Sequence, residues 1–167
     1  MIDGLLIKFI SFLFLFFMAL FLYHFIVQSK LNKRLSKAGI QEIDLMTGAE
    51  FEQYLRVLLD KLGFRVRITK ASNDFGADLI IEGDVRVVIQ AKRYKKRVGI
   101  RAVQEINSAR DYYNAHEAWV ITNNFFTTPA IKLAQSSNVK LIDRYELVEL
   151  ILDSKSSSAD KKYFWSS

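Results

Sequence analysis

Two short β-branched runs constrain this chain more than any other part of it: Ala77-Asp78-Leu79-Ile80-Ile81 and Arg86-Val87-Val88-Ile89-Gln90-Ala91-Lys92, with Glu82-Gly83-Asp84 between them. Apolar runs of this length, bounded by turn residues, predict two adjacent strands of a hairpin in a well-buried sheet. Each strand also carries polar groups that a core normally excludes, Asp78 on the first and Gln90 and Lys92 on the second. Side chains alternate along a strand, so Gln90 and Lys92 leave the same face. A connection with an odd number of residues, centred on Asp84, sets Asp78 opposite Gln90 on that face. An even number sends Asp78 to the other face. In the odd register a carboxylate, an amide oxygen and an ammonium converge, which is the donor set of a metal-assisted phosphodiester hydrolysis.

The remaining elements follow in order. Thr47-Gly48-Ala49-Glu50 is a capping box. Phe51, Leu55, Leu58, Leu59 and Leu62 then fall on one helical face, and Gly63 stops the helix, which spans 48–62. Phe64 to Thr69 alternates apolar and polar as a first strand, and Lys70 to Gly76 is a loop. A helix runs from about Ile100 to Asn114, a strand over Ala118–Thr122, and a short helix from an N-cap at Thr128 with Pro129 behind it. Val139–Asp143 is a fifth strand and Tyr145–Leu152 a last helix. The predicted fold is α/β, a mixed five-stranded sheet flanked by helices, antiparallel in its first part and joined by helical crossovers to parallel strands.

Ahead of this domain stands an uncharged run of 19 residues, Phe9 to Val27, most of them Phe, Leu and Ile. As a helix it is about 28 Å long, close to the hydrocarbon thickness of a bilayer. It ends in Tyr23-His24-Phe25-Ile26-Val27-Gln28 and then Lys30, Lys33, Arg34 and Lys37, flanks that suit an uncleaved anchor better than a signal peptide. The basic flank keeps the C-terminal bulk on the cytoplasmic side, so a single-pass protein of the cell inner membrane is expected. His24, a turn from the basic end, reads as an interfacial residue rather than a proton relay. The organisation is then an anchor over 1–28, a basic linker over 29–44, a domain over 45–152 and a disordered tail over 153–167, rich in Ser and Lys.

The net charge of +6 is unevenly spread. Lys92, Arg93, Lys95, Lys96, Arg97 and Arg101 fall within ten positions with no acid among them. A run of this kind is often a solvated loop. Next to Asp78 and Gln90 it reads better as a contact for a polyanion backbone, with Arg93, Lys95, Lys96, Arg97 and Arg101 as the nucleic-acid-binding set. Asp78 is a hard-oxygen ligand suited to Mg²⁺, and Gln90 and the Ala91 carbonyl offer further oxygens. Lys92 is placed to orient or deprotonate a water or to steady charge on the phosphate. Glu52, on the first helix, adds a further carboxylate. Taken singly, Asp78 also suits loop closure and Lys92 an edge strand; the set favours a nuclease site. Trp119, Phe125 and Phe126 read as packing residues, and Tyr112-Tyr113 has no assigned role.

Several segments carry a resemblance. Gly48-Ala49-Glu50-Phe51-Glu52, Leu62-Gly63-Phe64, Asp74-Phe75-Gly76-Ala77-Asp78-Leu79-Ile80 and Val88-Ile89-Gln90-Ala91-Lys92 resemble the Mrr-like restriction endonuclease domain of the PD-(D/E)xK nuclease superfamily. The likeness continues in Val103-Gln104-Glu105-Ile106, Val120-Ile121-Thr122-Asn123 and Phe126-Thr127-Thr128-Pro129-Ala130, and covers about residues 45–152. It implies Asp78 as the motif aspartate, Lys92 as the motif lysine, Gln90 in the usual Asp/Glu position and Glu52 as the first-helix glutamate. With an amide at position 90 the site loses one negative charge, so a lower metal affinity is expected than in a two-carboxylate relative.

The leading expectation is a membrane-anchored, Mg²⁺-dependent DNA endonuclease in restriction or defence. The alternatives are a DNA-binding module that tethers DNA at the membrane, and a repair or junction nuclease on the same fold. Cutting both strands needs two sites, which makes a homodimer an expected partner state.

Overall fold

The computed structural model describes residues 4–35, 38–69 and 75–155. Residues 70–74 of the expected loop and the tail from 156 lie outside them. The chain divides into two units, Met1–Lys37 and Ala38–Ser167. The first is a single helix, α1 (Gly4–Leu35), and its stretch Lys8–Leu31 is long and apolar enough to cross a membrane. None of that stretch is buried by protein, and Phe9, Phe14, Phe21 and Phe25 are all exposed.

The second unit contains α2 (Ile40–Ile43), α3 (Gly48–Lys61), β1 (Arg65–Ile68), β2 (Leu79–Glu82), β3 (Val87–Lys92), α4 (Ile100–Tyr112), β4 (Glu117–Thr122), α5 (Thr128–Ser137), β5 (Val139–Ile142) and α6 (Arg144–Asp153). The five strands form one sheet in chain order, β1-β2-β3-β4-β5. β1 to β3 pair antiparallel; β3, β4 and β5 are parallel, with α4 and α5 as crossovers. This is the mixed sheet the sequence predicts.

Local chemistry explains the element ends. Thr47 caps α3: its hydroxyl accepts the Glu50 N–H at 3.3 Å, and the Glu50 carboxylate accepts the Thr47 N–H at 2.8 Å. Gly63, with φ at +99°, turns the chain from α3 into β1. The cap of α5 is Thr127, one residue earlier than expected, because its hydroxyl accepts the Ala130 N–H. Pro129 then falls within the first turn, where its missing N–H costs nothing. Asp143 ends β5 and caps α6, accepting the Tyr145 and Glu146 N–H groups. Ala38 and Ile43, in the stretch read as connector from sequence, are buried in the domain, as is Met46.

Both faces of the sheet are covered. Ile80, Val88, Ala118 and Val120 point to α4 and α5 and pack with Val103, Ile106, Ala109, Ala130 and Ala134. The alternating residues Leu79, Ile81, Ile89, Trp119 and Ile121 are buried on the other face, the side of α3 and α6. Trp119 is buried as expected, its indole N–H donating to Glu117.

The chain approaches the sheet most tightly just before Asp78. Phe75 and Gly76 both take positive φ, 48° and 92°. The Phe75 ring stacks on Tyr112 of α4 with centroids 3.8 Å apart, which holds this strained pair on the helix. A Cβ on Gly76 would lie 3.0 Å from the Glu105 Cβ and 3.1 Å from its carbonyl oxygen, atoms that cannot swing away. Gly76→Ala is therefore expected to destabilise the domain by about 2 kcal/mol, from backbone strain alone and before any displacement of α4. Urea unfolding of the two proteins measures it.

Candidate active site

The hairpin pairs Leu79 with Ile89, Ile80 with Val88 and Ile81 with Val87, a register centred on Asp84. The odd connection is the one adopted, but the ladder ends at the Leu79–Ile89 pair and the expected pairing of Asp78 with Gln90 is not formed. Beyond Leu79 the ladder gives way. The Asp78 N–H donates to the Ile89 carbonyl at 2.8 Å, and its Oδ2 accepts the Ala91 N–H at 2.7 Å. A side-chain oxygen thus stands where a ladder carbonyl would, which pins the Asp78 carboxylate at the Ala91 peptide. The Lys92 carbonyl accepts the Thr122 hydroxyl at 2.6 Å, fixing the end of β3 to β4.

Gln90 is 2% exposed, inside an otherwise apolar sheet. Its Nε2 donates to Glu105 Oε2 at 2.8 Å, while its Oε1 is buried with no hydrogen-bond partner among the described residues. Lys92 Nζ lies 3.4 Å from the same Glu105 oxygen, and Arg101 Nε donates to Glu105 Oε1 at 2.8 Å. Burial raises the Glu105 carboxyl, but the hydrogen bonds from Gln90 and Arg101 and the charge of Lys92 together outweigh it and hold it below the usual carboxylate range. Glu105 is therefore an ionised hub joining α4 to the polar end of β3.

Glu105 carries no role in the sequence reading. Its neighbours Ala102, Val103, Ile106 and Ala109 mark the buried face of α4, and it lies one turn after Arg101. That places it at the rim of a packed helix, but only the sheet topology says which strand it meets.

The other expected site residues divide. Glu52 is half-buried just after the first turn of α3, and has interactions of its own. α3 leads directly into β1, which runs parallel to β3, so that turn lies at the end of the sheet where β3 terminates. Among the described residues no three His, Cys, Asp or Glu side chains form a metal-holding group, so Glu52, Asp78 and Glu105 are not a three-carboxylate cage. Lys95, Lys96 and Arg97 are exposed on the loop after β3. Arg97 donates to the Phe126 carbonyl at 3.1 Å and sits 5.6 Å over the Phe125 ring. Arg101 is taken up by Glu105. Arg93 is half-buried, its Nε without a hydrogen-bond partner.

The basic loop is stitched to the chain after β4. Val98 and Phe126 form a parallel bridge, and the Tyr94 N–H donates to Asn123 Oδ1 at 2.9 Å. Asn123 Nδ2 in turn donates to Asp44, whose two oxygens each accept from the Arg144 guanidinium at 2.8 Å. The Arg144 hydrogen bonds hold the Asp44 carboxyl below its ordinary value, against burial.

Residues 43–151 match the family Mrr_cat, described as restriction endonuclease. The chain belongs to this family. A restriction endonuclease domain accounts for the five-stranded sheet and its flanking helices. None of the curated proteins matches the chain. Among solved structures it is similar to the crystal structure of a protein of unknown function, AF1548, with a TM-score of 0.52 and 21% identity over 62% of this chain. The matched part spans 64% of that protein, and the likeness is one of fold.

A carboxyl with a folded-state value below its unfolded one contributes stability that is complete above the unfolded value and lost as the pH falls through the folded value. Asp44→Asn should accordingly lower stability by about 1 kcal/mol at neutral pH, a modest figure because the pair is partly exposed. The gap in melting temperature between variant and wild type should close as the pH drops through the lowered value of Asp44, below the usual carboxylate range, where the wild type protonates too.

Proposed function

We propose that this protein is a membrane-anchored, Mg²⁺-dependent DNA endonuclease acting on the cytoplasmic side of the inner membrane, in restriction or defence against foreign DNA. The observation that carries the proposal is the oxygen pair at the end of β3. The Asp78 carboxylate is pinned at the N–H of Ala91, the residue after Gln90, whose buried amide oxygen has no hydrogen-bond partner among the described residues. A buried amide oxygen without a partner costs about 1–3 kcal/mol, a cost that a cation at this position offsets. The donors are hard oxygens, which suits Mg²⁺ better than a softer metal.

Asp78 and Gln90 would hold the ion, which when bound polarises the scissile phosphate and favours ionisation of an attacking water. The rest falls to the chain itself. Lys92, held at Glu105 and 20% exposed, presents a positive charge to the equatorial phosphate oxygens as negative charge builds on them. Lys95 and Lys96, exposed a few residues on, meet the flanking backbone without regard to sequence. Glu52, at the same end of the sheet, acts through water or a second contact with the ion. Cleavage of both strands then calls on two copies of the chain, and α1 with its basic flank keeps those copies at the membrane.

A non-catalytic DNA tether is the second reading, favoured by one observation: an amide at position 90 leaves the site one carboxylate short. The full-length chain in detergent micelles decides between them. With Mg²⁺ and plasmid DNA, wild type should nick or cut, and Lys92→Ala should lose cleavage by 10²-fold or more (an order-of-magnitude loss for one charge-stabilising group) while keeping DNA affinity. Salt-sensitive binding by both with cleavage by neither supports the tether instead. Replacing Lys95 and Lys96 together with Ala should weaken binding to all sequences alike and flatten the slope of log affinity against log salt by about 2. Fluorescence anisotropy over a salt series reads that slope.

A further inference from the structure

Gln90 is the residue in this site whose chemistry depends on orientation. Turned one way, its amide offers an oxygen; turned the other, it offers only N–H groups, which repel a cation. Nothing on β3 itself decides between the two, because the neighbours Ile89 and Ala91 are apolar. The choice is made from α4. Glu105 accepts from Arg101 on one oxygen and lies beside Lys92 on the other, and the Gln90 NH₂ faces it across a bond of 2.8 Å. Arg101 and Lys92 keep the carboxylate charged and aimed, one on each oxygen. The close approach of Gly76, whose added Cβ would lie 3.0 Å from the Glu105 Cβ, stops the glutamate from backing away. What remains is the Gln90 Oε1, buried and unpartnered, next to the peptide whose N–H holds the Asp78 carboxylate.

We infer that Glu105 is the positioning residue of this site: from α4 it orients the Gln90 amide so that its oxygen, with Asp78, forms the divalent-cation site, and it supplies from a helix the negative charge that β3 lacks at position 90. The inference rests on the nuclease reading and extends it to a residue that touches neither ion nor phosphate. Glu105 is not itself a ligand here, since one oxygen receives Arg101 and the other receives both Gln90 and Lys92.

The arrangement makes a specific demand on substitutions. In Glu105→Gln the new amide must turn its oxygen to Arg101, leaving its NH₂ to face Gln90. The Gln90 amide then rotates to accept, and its oxygen leaves the cation site. In the exchanged pair, Gln90→Glu with Glu105→Gln, the same NH₂ meets a carboxylate. One oxygen of residue 90 takes that hydrogen bond and the other is presented beside Asp78.

The test is Mn²⁺ binding to the full-length protein in detergent micelles, read by the loss of the free-ion electron paramagnetic resonance signal, with plasmid nicking followed in parallel. Wild type is expected to bind. Glu105→Gln should bind about 10- to 100-fold more weakly, the usual effect of losing a group that orients a ligand. The exchanged pair should recover wild-type affinity or better, together with nicking. That recovery separates positioning from a merely structural role, which the exchange would not restore, and circular dichroism melts establish that each variant is folded. Equal Mn²⁺ affinity in wild type and Glu105→Gln overturns the inference while leaving the nuclease reading intact. A folded exchanged pair that stays as weak as the single variant overturns it too. Wild type that neither takes up Mn²⁺ nor nicks DNA overturns the nuclease reading and this inference with it.

Discussion

Sliding β2 against β3 by a single residue would part the Asp78 carboxylate from the Ala91 N–H that holds it and would break up the candidate site without changing a side chain. Burial on both faces does not by itself set the register that prevents this. Ile80 and Val88 must meet α4 while Leu79, Ile81 and Ile89 must meet the α3 side, and each is nearly or wholly removed from water. At about 1.5–3 kcal/mol for each large apolar side chain, exchanging the faces of several at once is prohibitive unless both sides are equally greasy. They are, so the turn centred on Asp84 and the pinned Asp78 carboxylate complete the specification.

The same sheet then has to accommodate polar groups at its end. Gln90, Lys92, Glu105 and Arg101 form a chain of contacts with Glu105 at the centre, in which the buried Gln90 Oε1 has no partner among the described residues. Two cations and an amide donor stabilise that charge by more than desolvation opposes it, as the lowered carboxyl of Glu105 records. Such a network stiffens the junction of α4 and β3, because losing any member leaves a buried group without its partner. A nuclease benefits from that stiffness, since an ion and a phosphate must be met within a fraction of an ångström.

A second network, Asp44–Arg144–Asn123, performs the parallel task for the basic loop. It links the segment ahead of α3 to the start of α6 and, through Asn123 and Tyr94, to the residues that follow Lys92. The exposed lysines 95 and 96 therefore project from a loop held at both ends. This is why Arg93, Arg97 and Arg101, counted with them in sequence, are instead engaged by the protein's own carbonyls, rings and carboxylates or half-buried.

The sequence by itself determined the element order, the caps at Thr47 and near Thr128, the mixed sheet, the membrane-length apolar run and the presence of Asp78, Gln90 and Lys92 as polar members of apolar runs. These are local properties: periodicity, capping chemistry and alternation act over a few residues and survive without knowledge of the fold. Tertiary structure alone decided the hairpin register, the partners taken by Arg97 and Arg101, and the meeting of Glu105 with Gln90 and Lys92. Glu105 is separated from Gln90 by fifteen residues and a crossover. No pattern within either segment encodes that meeting. It follows from right-handed packing of α4 back across β3, which brings a carboxylate from the helix to the one amide in the sheet whose orientation needed a partner.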